Sequence, residues 1–249
     1  MDYLEYYYSN INKYLKKILD EERENIEKAT DLISTKIDEN RLIHIFGTGG
    51  HSLMAEEEMF YRAGGLIPIN PIFFSGISLV NGGTRAKLER IPGIAEVVLD
   101  FYGLKKGDVL IISNVAGVNA LTIESALVAK KMSLYVIGIE SKVFANSIPK
   151  DHEARHKSGK NLHDVADICI DIKVPSGDAV IKIEGIEQKV APISTICTVF
   201  TLHSLVIRTI EKLLEKGIKP PIWRSVNIPN GDQYNKEYLQ KYTQRIKKL

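Results

Sequence analysis

Short apolar runs alternate with longer amphipathic stretches through the middle of this chain, and this alternation restricts its fold more than any other feature. Residues 109–112 and 134–139 form two such runs, and others lie at 42–46, at 168–170 and within 66–74. Strands that are apolar on both faces are typical of a parallel sheet covered by helices on both sides. The pattern therefore predicts an α/β domain with a doubly wound parallel sheet.

The first forty residues have a different pattern, in which apolar residues recur at helical spacing. Tyr7, Ile11 and Ile18 belong to one such stripe, and residues 26–37 carry a second. We expect residues 1–40 to form a helical pair outside a sheet that already has its own helices. The pair therefore predicts a subunit contact, with these three side chains buried in a homodimer or homotetramer.

The C-terminal part of the sequence predicts two further helices. Residues 191–216 are expected to form one long helix, which Pro192 opens and Gly217 closes. A turn at residues 230–232 precedes a last amphipathic helix at about 233–247. We divide the chain into the helical pair at 1–40, the α/β domain at 41–219 and a C-terminal extension at 220–249. The extension is expected to pack on the domain or on a neighbouring subunit.

Composition excludes several classes of protein. Of 249 residues, 44% are hydrophobic and 26% are charged, which is enough apolar material for a core and rules out a disordered chain. A net charge of +2 does not indicate the excess of basic residues that is typical of nucleic-acid-binding proteins. There are two distant cysteines, no signal-peptide pattern and no convincing membrane span. We expect a cytoplasmic protein with neither a nucleic-acid nor a membrane partner.

The first apolar run ends in a glycine-rich loop, which we call the first loop, at residues 47–52. Glycines let the backbone approach an anion, and the following helix directs free N–H groups at it. A Walker loop would need a lysine, and a dinucleotide loop would need glycine in place of Ser52. No Asp or Glu lies between Met59 and Leu88 to hold a ribose, which disfavours NAD. We expect no cofactor, and either a phosphorylated ligand or a tight turn without a ligand. The candidate binding residues are Gly47, Thr48, Gly49, Gly50, His51 and Ser52.

A second loop, at residues 113–119, follows the run at 109–112 and opens another helix. Its hydrogen-bonding candidates are Ser113, Asn114 and Asn119, which flank Gly117. Serine or asparagine at a helix start is also a common N-cap, so this loop alone is a weak signal. In an open parallel sheet, ligands bind outside the carboxyl ends of the strands. Two such loops on one sheet therefore favour a shared binding site.

The two loops together resemble those of the sugar isomerase (SIS) domain family, and the similarity runs almost from end to end. The chain is similar to a small bacterial group of phosphosugar isomerase relatives of phosphoheptose isomerase. Further shared motifs lie at 55–57, 62–65, 158–160, 164–167, 177–180 and 220–223. The resemblance implies a flavodoxin-like sheet and a phosphosugar site, and it adds Ser158 to the candidate binding residues. Ala116 stands where the family commonly has a second serine, and the first loop has a Gly-Gly-His-Ser order.

The resemblance implies aldose–ketose isomerisation, in which a carboxylate or imidazole moves a proton between C1 and C2. Glu56, Glu57 and Glu58 follow the first loop, and consecutive helical residues point about 100° apart. Glu57 shares a helical stripe with Leu53 and Phe60, so we expect it to be the base, with Glu56 second. A solvated acidic face is the alternative interpretation.

Histidines supply the remaining candidates. His203 lies among apolar residues of the long helix, which is typical of a core histidine. The resemblance implies instead a catalytic partner, because phosphoheptose isomerases use a histidine of the corresponding helix. His152, His156 and His163 share one segment, but neighbouring cationic side chains would oppose a metal ion, and we expect none.

Three functions therefore stay open at this point. The first is an isomerase that acts on a phosphorylated sugar through an enediol. The second is a non-catalytic sensor that binds the same ligand. The third is an epimerase or a lyase that uses the same site.

Overall fold

The computed structural model describes residues 2–249 and contains a five-stranded parallel sheet with a separate hairpin. The strands, in chain order, are β1 (Ile43–Gly47), β2 (Ile69–Pro71), β3 (Val109–Ser113), β4 (Tyr135–Glu140), β5 (Ile168–Asp171), β6 (Ala179–Lys182) and β7 (Lys189–Pro192). The helices are α1 (Tyr3–Glu21), α2 (Arg23–Asp38), α3 (Met54–Met59), α4 (Thr84–Leu88), α5 (Ile94–Tyr102), α6 (Ala120–Lys131), α7 (Lys142–Ser147), α8 (Ser194–Glu215) and α9 (Gly231–Tyr242).

The sheet has the order β2-β1-β3-β4-β5, and every neighbouring pair is parallel. From β1 the chain goes to β2 on one side and then to β3 on the other, so the direction of winding reverses between β1 and β3. This topology confirms the predicted doubly wound sheet. Ligands of such sheets bind where the winding reverses, outside the carboxyl ends of the strands.

Helices cover both faces of the sheet. On one face, α2 and α8 pack on alternate residues of the strands, including Ile43, Ile45 and Ile111. On the other face, α5 and α6 pack on the intervening residues, such as Phe46 and Leu110. The side chains of the central strands β1 and β3 are therefore buried on one face or the other, which explains the unbroken apolar runs.

The N-terminal helices belong to this core. Ile18, which we expected at a subunit interface, is fully buried within the chain itself. Glu27 of α2 accepts from the Arg208 guanidinium of α8 at 2.8 Å, and Lys212 also pairs with Glu27 and with Asp31. Helix α2 (residues 23–38) is thus part of the helical layer that covers this face of the sheet together with α8. A subunit contact through the outer side of α1 stays a prediction.

The long C-terminal helix begins later than the sequence suggested. Residues 189–192 pair with β6 as an antiparallel strand, so Pro192 ends a strand and α8 starts at Ser194. Asp178 accepts hydrogen bonds from the amides of Ile193 and Ser194 at 3.0 and 2.8 Å, and from the Ser194 hydroxyl at 2.6 Å. The Asp178 carboxylate therefore caps the start of α8, which the sequence predicted to begin at Pro192.

The last helix also differs in extent from the prediction, and the helix after the first loop is short. Helix α3 ends at Met59, because Phe60 is already extended. Helix α9 covers Gly231–Tyr242. The C-terminal extension packs on the domain: Trp223 is buried with Ile67 and Tyr242, and its amide donates to the Gly65 carbonyl at 3.0 Å. Among residues 2–249, no helix combines the length and apolar character that a membrane crossing requires.

The position of α2 in the core generates a stability prediction. Ile33 is 1% exposed, so Ile33→Ala should lower the free energy of unfolding by about 2–5 kcal/mol through lost burial and a cavity. Val97→Ala, at a 72% exposed position of α5, is the control and should change it by about 0.5 kcal/mol or less. Urea unfolding measures both. An Ile33→Ala effect that depends on protein concentration would instead place Ile33 at a subunit contact.

Candidate functional site

The first and second loops meet where the winding of the sheet reverses. Strands β1 and β3 are adjacent, and the Thr48 amide donates to the Ser113 carbonyl at 3.0 Å immediately beyond them. This edge of the sheet is the expected location of a ligand. The two loops predicted separately from the sequence are therefore adjacent at this edge of the sheet.

Two asparagine side chains lock the loops together. Asn114 and Asn119 both donate through Nδ2 to the Thr48 carbonyl, at 2.9 and 3.1 Å. The Asn114 Oδ1 accepts from the amides of Ala116 and Gly117, and Asn119 caps α6 by accepting from the Thr122 amide at 2.8 Å. Both residues thus position the backbone of the site, and the N-cap interpretation of Asn119 is confirmed.

Thr48 and Ser113 lie at the centre of the site but inside the protein. Thr48 is fully buried, and its hydroxyl lies 2.6 Å from that of Thr122. Ser113 is 2% exposed. The Thr48 side chain joins the first loop to α6, whereas Ser113 contributes its carbonyl, which accepts from the Thr48 amide.

The glycines of the first loop are required by close contacts. A Cβ on Gly47 would lie 2.1 Å from the Ser52 carbonyl oxygen, and one on Gly49 would lie 2.8 Å from the Asn114 amide nitrogen. A Cβ on Gly50 would lie 2.2 Å from the Arg85 guanidinium. The loop is therefore folded tightly against its surroundings, and a side chain at these positions would displace it.

Several donors of the first loop are free to bind an anion. Within residues 2–249, the amides of Gly49, His51 and Ser52 have no acceptor. The first turn of α8 lies opposite, and His51 and Ser52 line a narrow gap together with Val115, Ser194, Thr195 and Thr198. Free amides next to hydroxyls and a helix N-terminus form a favourable environment for a phosphate or carboxylate.

Glu89 and Arg85 also contact the two loops, although neither residue was predicted from the sequence. Glu89 accepts from the Gly50 amide at 3.0 Å, from Arg85 at 3.2 Å and from Asn119 at 3.3 Å. Burial raises the pKa of Glu89 despite these hydrogen bonds. The spacing of Arg85 and Glu89, one helical turn apart, was a signal of their pairing but not of their contact with the loop.

The second loop needs its glycine because of a buried carboxylate. Gly117 has a φ of +62°, and a Cβ there would lie 1.7 Å from Oε2 of Glu140, the last residue of β4. Glu140 is fully buried and accepts from the His163 amide at 2.8 Å and from its Nδ1 at 2.5 Å. The Glu140 carboxylate raises the pKa of His163 through this hydrogen bond.

The three consecutive glutamates occupy three different environments. Glu56 is fully buried; its Oε1 accepts from the Gly47 amide at 2.5 Å, whereas its Oε2 has no partner within residues 2–249. Burial raises the pKa of Glu56 well above its usual value. This residue supports the first loop from beneath and has no access to a bound ligand.

Glu57, our first candidate for the base, is exposed. It lines a cavity of about 250 Å³ with Leu53, the residue that we placed on the same stripe. The other residues that line this cavity are Phe73, Phe74, Ser75 and Ser78. The cavity adjoins the first loop, since Leu53 directly follows Ser52. The geometry therefore favours Glu57 over Glu56 as a residue that reaches a ligand.

His203 pairs with the third glutamate. Its Nε2 lies 2.8 Å from Glu58 Oε1, and Arg62 reaches the same oxygen at 3.0 Å. The His203 side chain is 43% exposed, so it is not the core histidine that its apolar neighbours indicated. Only the packing of α3 against α8 reveals this pair, because the residues are 145 positions apart.

The segment that holds the remaining histidines lies beside the second loop. The His156 amide donates to the Val118 carbonyl at 2.8 Å, and the His156 Nδ1 lies 2.8 Å from the Ser158 hydroxyl. Ser158 is exposed and does not join the contact between the two loops. In the part of the chain that the structure describes, no three His, Cys, Asp or Glu side chains are arranged to hold a metal ion.

Buried Glu56 generates a pH-dependent prediction. Above the ordinary glutamate pKa of 4.5, the unfolded chain releases this proton before the folded chain does, so Glu56 lowers stability as pH rises. Glu56→Gln removes this effect and keeps an acceptor for Gly47. In urea unfolding, the variant should equal the wild type near pH 4.5 and exceed it at pH 8. Glu57→Gln, at the exposed neighbour, should show no such gain. A loss of stability in Glu56→Gln at pH 8 would show that the ionised form is the stable one.

Comparison with known proteins identifies the family. A family model described as "SIS domain" matches residues 6–141. UPF0309 proteins from Shouchella clausii and Oceanobacillus iheyensis are 38% and 39% identical over 248 residues, and each alignment covers 99% of both chains. A phosphoheptose isomerase from Francisella tularensis superposes with a TM-score of 0.56 at 13% identity, covering 84% of this chain and 97% of that one. Phosphoheptose isomerase GmhA from Neisseria gonorrhoeae gives the same score and identity, covering 84% and 98%. The solved structures show a shared fold, and the family match shows that this chain belongs to the SIS domain family.

Proposed function

We propose that this protein is a phosphosugar isomerase that interconverts an aldose and a ketose. The proposal rests on the geometry of the two loops, which are joined at the Thr48 carbonyl. In this arrangement the amides of Gly49, His51 and Ser52 have no acceptor within residues 2–249. Membership of the SIS family and the fold shared with two phosphoheptose isomerases support it.

The substrate phosphate is proposed to bind at the free amides of the first loop. The Arg85 guanidinium, which lies against Gly50, supplies a cation at the same place. Ala116 and Asn119 line an adjoining cavity of about 140 Å³ with Glu89 and Arg90, so a group that enters it meets a guanidinium beside a carboxylate rather than a second serine hydroxyl. Such charge-assisted contacts are roughly twice as strong as neutral hydrogen bonds.

The isomerisation itself is a proton transfer. In the open-chain aldose, a base removes the proton from C2 while the carbonyl oxygen at C1 gains one, which gives the enediol. Return of a proton to C1 and loss of the C2 hydroxyl proton give the ketose. The sugar is neither oxidised nor reduced overall, so this chemistry needs acid and base groups but no redox partner.

Glu57 is the proposed base, and His203 is the proposed second proton-transfer group. Glu57 is the glutamate of the triplet that lines the cavity next to the first loop. His203 is oriented by Glu58, whose Oε1 lies 2.8 Å from the His203 Nε2. Glu58 is therefore a positioning residue in this scheme.

A sensor that binds the sugar phosphate without converting it is the second candidate. Two observations favour it: Glu57 is exposed to water in the single chain, and Ala116 stands where the family commonly has a hydroxyl. Both functions share the phosphate site. They differ in whether solvent hydrogen enters the bound sugar.

The first prediction for this site concerns the anion. Phosphorylated pentoses, hexoses or heptoses that raise the melting temperature should bind at least about tenfold more tightly than the same sugars without phosphate. Ala116→Ser adds a hydroxyl at the cavity and should bind the phosphorylated sugar equally well or more tightly. Calorimetry on matched pairs of sugars measures this difference. Equal affinity for the two forms would remove the basis for a phosphate site.

The second prediction separates the three glutamates. In deuterated water, NMR of a sugar phosphate that binds should show solvent deuterium at C1 or C2. Glu57→Gln should slow this exchange by about 10²–10⁴-fold while the ligand still raises the melting temperature. His203→Gln should slow it less. Glu56→Gln is the matched control from the buried side of the helix and should retain exchange.

Each other outcome has a definite meaning. Loss of exchange in Glu56→Gln but not in Glu57→Gln would assign the base to the buried residue. Loss in Glu58→Gln and His203→Gln, with Glu57→Gln active, would assign proton transfer to that pair alone. Binding of the sugar phosphate by the wild type without any exchange would establish the sensor.

A further inference from the structure

A large cavity lies at the opposite end of the sheet from the candidate site. Its volume is about 360 Å³, within the range of sites for small molecules. It opens beside the amino ends of β1, β2 and β3, where His44, Asn70 and Asp108 line it. The C-terminal segment forms one wall, because Arg245 donates to the side chain and the carbonyl of Asn40 at 3.0 and 2.6 Å.

A chain of buried polar groups runs along this cavity. Asn70 Nδ2 donates to His44 Nδ1 at 2.9 Å, and His44 Nε2 lies 3.3 Å from Asp108 Oδ2. One neutral histidine tautomer satisfies both contacts, as an acceptor at Nδ1 and a donor at Nε2. Burial would raise the pKa of Asp108, but hydrogen bonds from His44, the Lys105 amide and Arg41 outweigh it and lower that pKa. Asp108 is therefore held as a carboxylate.

One atom of this chain is left without a partner. Asn70 is 1% exposed, and its Oδ1 has no donor within residues 2–249. A buried amide oxygen that stays unpaired destabilises the folded chain. Asn70 lines the cavity, and because His44 fixes the other end of the amide, the Oδ1 gains a donor only from a hydroxyl or N–H group that displaces the atoms now covering it.

The charge around the cavity is positive. Arg41, Lys105 and Arg245 line it, against the single carboxylate of Asp108. Arg41 is paired with Asp108 at 2.9 Å and also reaches Glu39. Lys105 and Arg245 form no ion pair among the described residues, which leaves two cations without a counter-charge.

We infer that this cavity is a second ligand site, for a small anion that also carries hydroxyl groups. The anionic group would bind near Lys105 and Arg245, and a hydroxyl would donate to the Asn70 Oδ1. A carboxylate and a phosphate share this chemistry, and the experiment below distinguishes them. The inference does not depend on the proposed function, since the site shares no residue with the two loops.

Hydrogen–deuterium exchange tests the inference with four probes. Citrate carries carboxylates and a hydroxyl, and glycerol 3-phosphate carries a phosphate and hydroxyls. Inorganic phosphate supplies charge without carbon-bound hydroxyls, and xylitol supplies hydroxyls without charge. We expect citrate or glycerol 3-phosphate to protect peptides that cover residues 40–44, 102–108 and 240–249. Protection at 47–53 and 113–119 is scored separately, as binding at the candidate functional site.

Two neighbouring lysines provide the matched variants. Lys105→Glu reverses a charge that lines the cavity. It should lower the affinity for whichever probe protects the cavity peptides by about tenfold or more. Lys106→Glu makes the same change in net charge one residue away, outside the cavity, and should leave the affinity within about twofold. Both residues are exposed, so neither substitution disturbs the core.

Three results would overturn the inference. The first is no protection of the three cavity peptides by citrate or by glycerol 3-phosphate. The second is an equal loss of affinity in Lys105→Glu and Lys106→Glu, which would show a diffuse charge effect. The third is equal protection by inorganic phosphate or by xylitol, which would show that the combination of charge and hydroxyl is not recognised.

Discussion

The Thr48 carbonyl is the point on which the candidate site depends. It accepts hydrogen bonds from the side chains of both Asn114 and Asn119, so the first loop cannot move without the second. Asn119 also caps α6, and the Thr48 hydroxyl reaches Thr122 in the same helix. Two loops from separate strands are thereby fastened to one rigid element. This arrangement holds the free amides of the first loop in place before any ligand arrives, which lowers the ordering cost of binding.

Residues that look like ligands in the sequence therefore fall into two groups in the structure. Thr48, Ser113, Asn114 and Asn119 hold the loops together from inside, whereas Gly49, His51 and Ser52 leave donors free. The sequence could locate the loops, because apolar runs end there. It could not separate the two groups, since burial of a polar side chain is decided by tertiary contacts. Arg85 and Glu89 were missed for the same reason: the segment between β2 and α5 has no periodic pattern that folds it over Gly50.

The central strands could be predicted from the sequence, whereas strand β7 and the orientation of the α3 glutamates could not. Each central strand is buried on both faces, so its sequence alone marks it. Strand β7 pairs only with β6 and is largely exposed, and its Pro192 looks like the first residue of a helix. The three consecutive glutamates of α3 show the same limit of sequence-based prediction within a single helix. Helical geometry places Glu57 with Leu53, but only the packing of α3 on α8 turns Glu58 toward His203.

The packing of α2 against α8 has a consequence for how the chain is made. The Glu27–Arg208 pair spans 181 residues, and Ile26, Ala29 and Ile33 share their core with residues of α8. During synthesis, α2 emerges before any strand of the sheet, whereas α8 follows only after all five strands. Until then the apolar residues of α2 that pack on α8 have no partner, and the face of the sheet that the two helices share is only partly covered. This face of the domain therefore closes last, through contacts between distant parts of the chain.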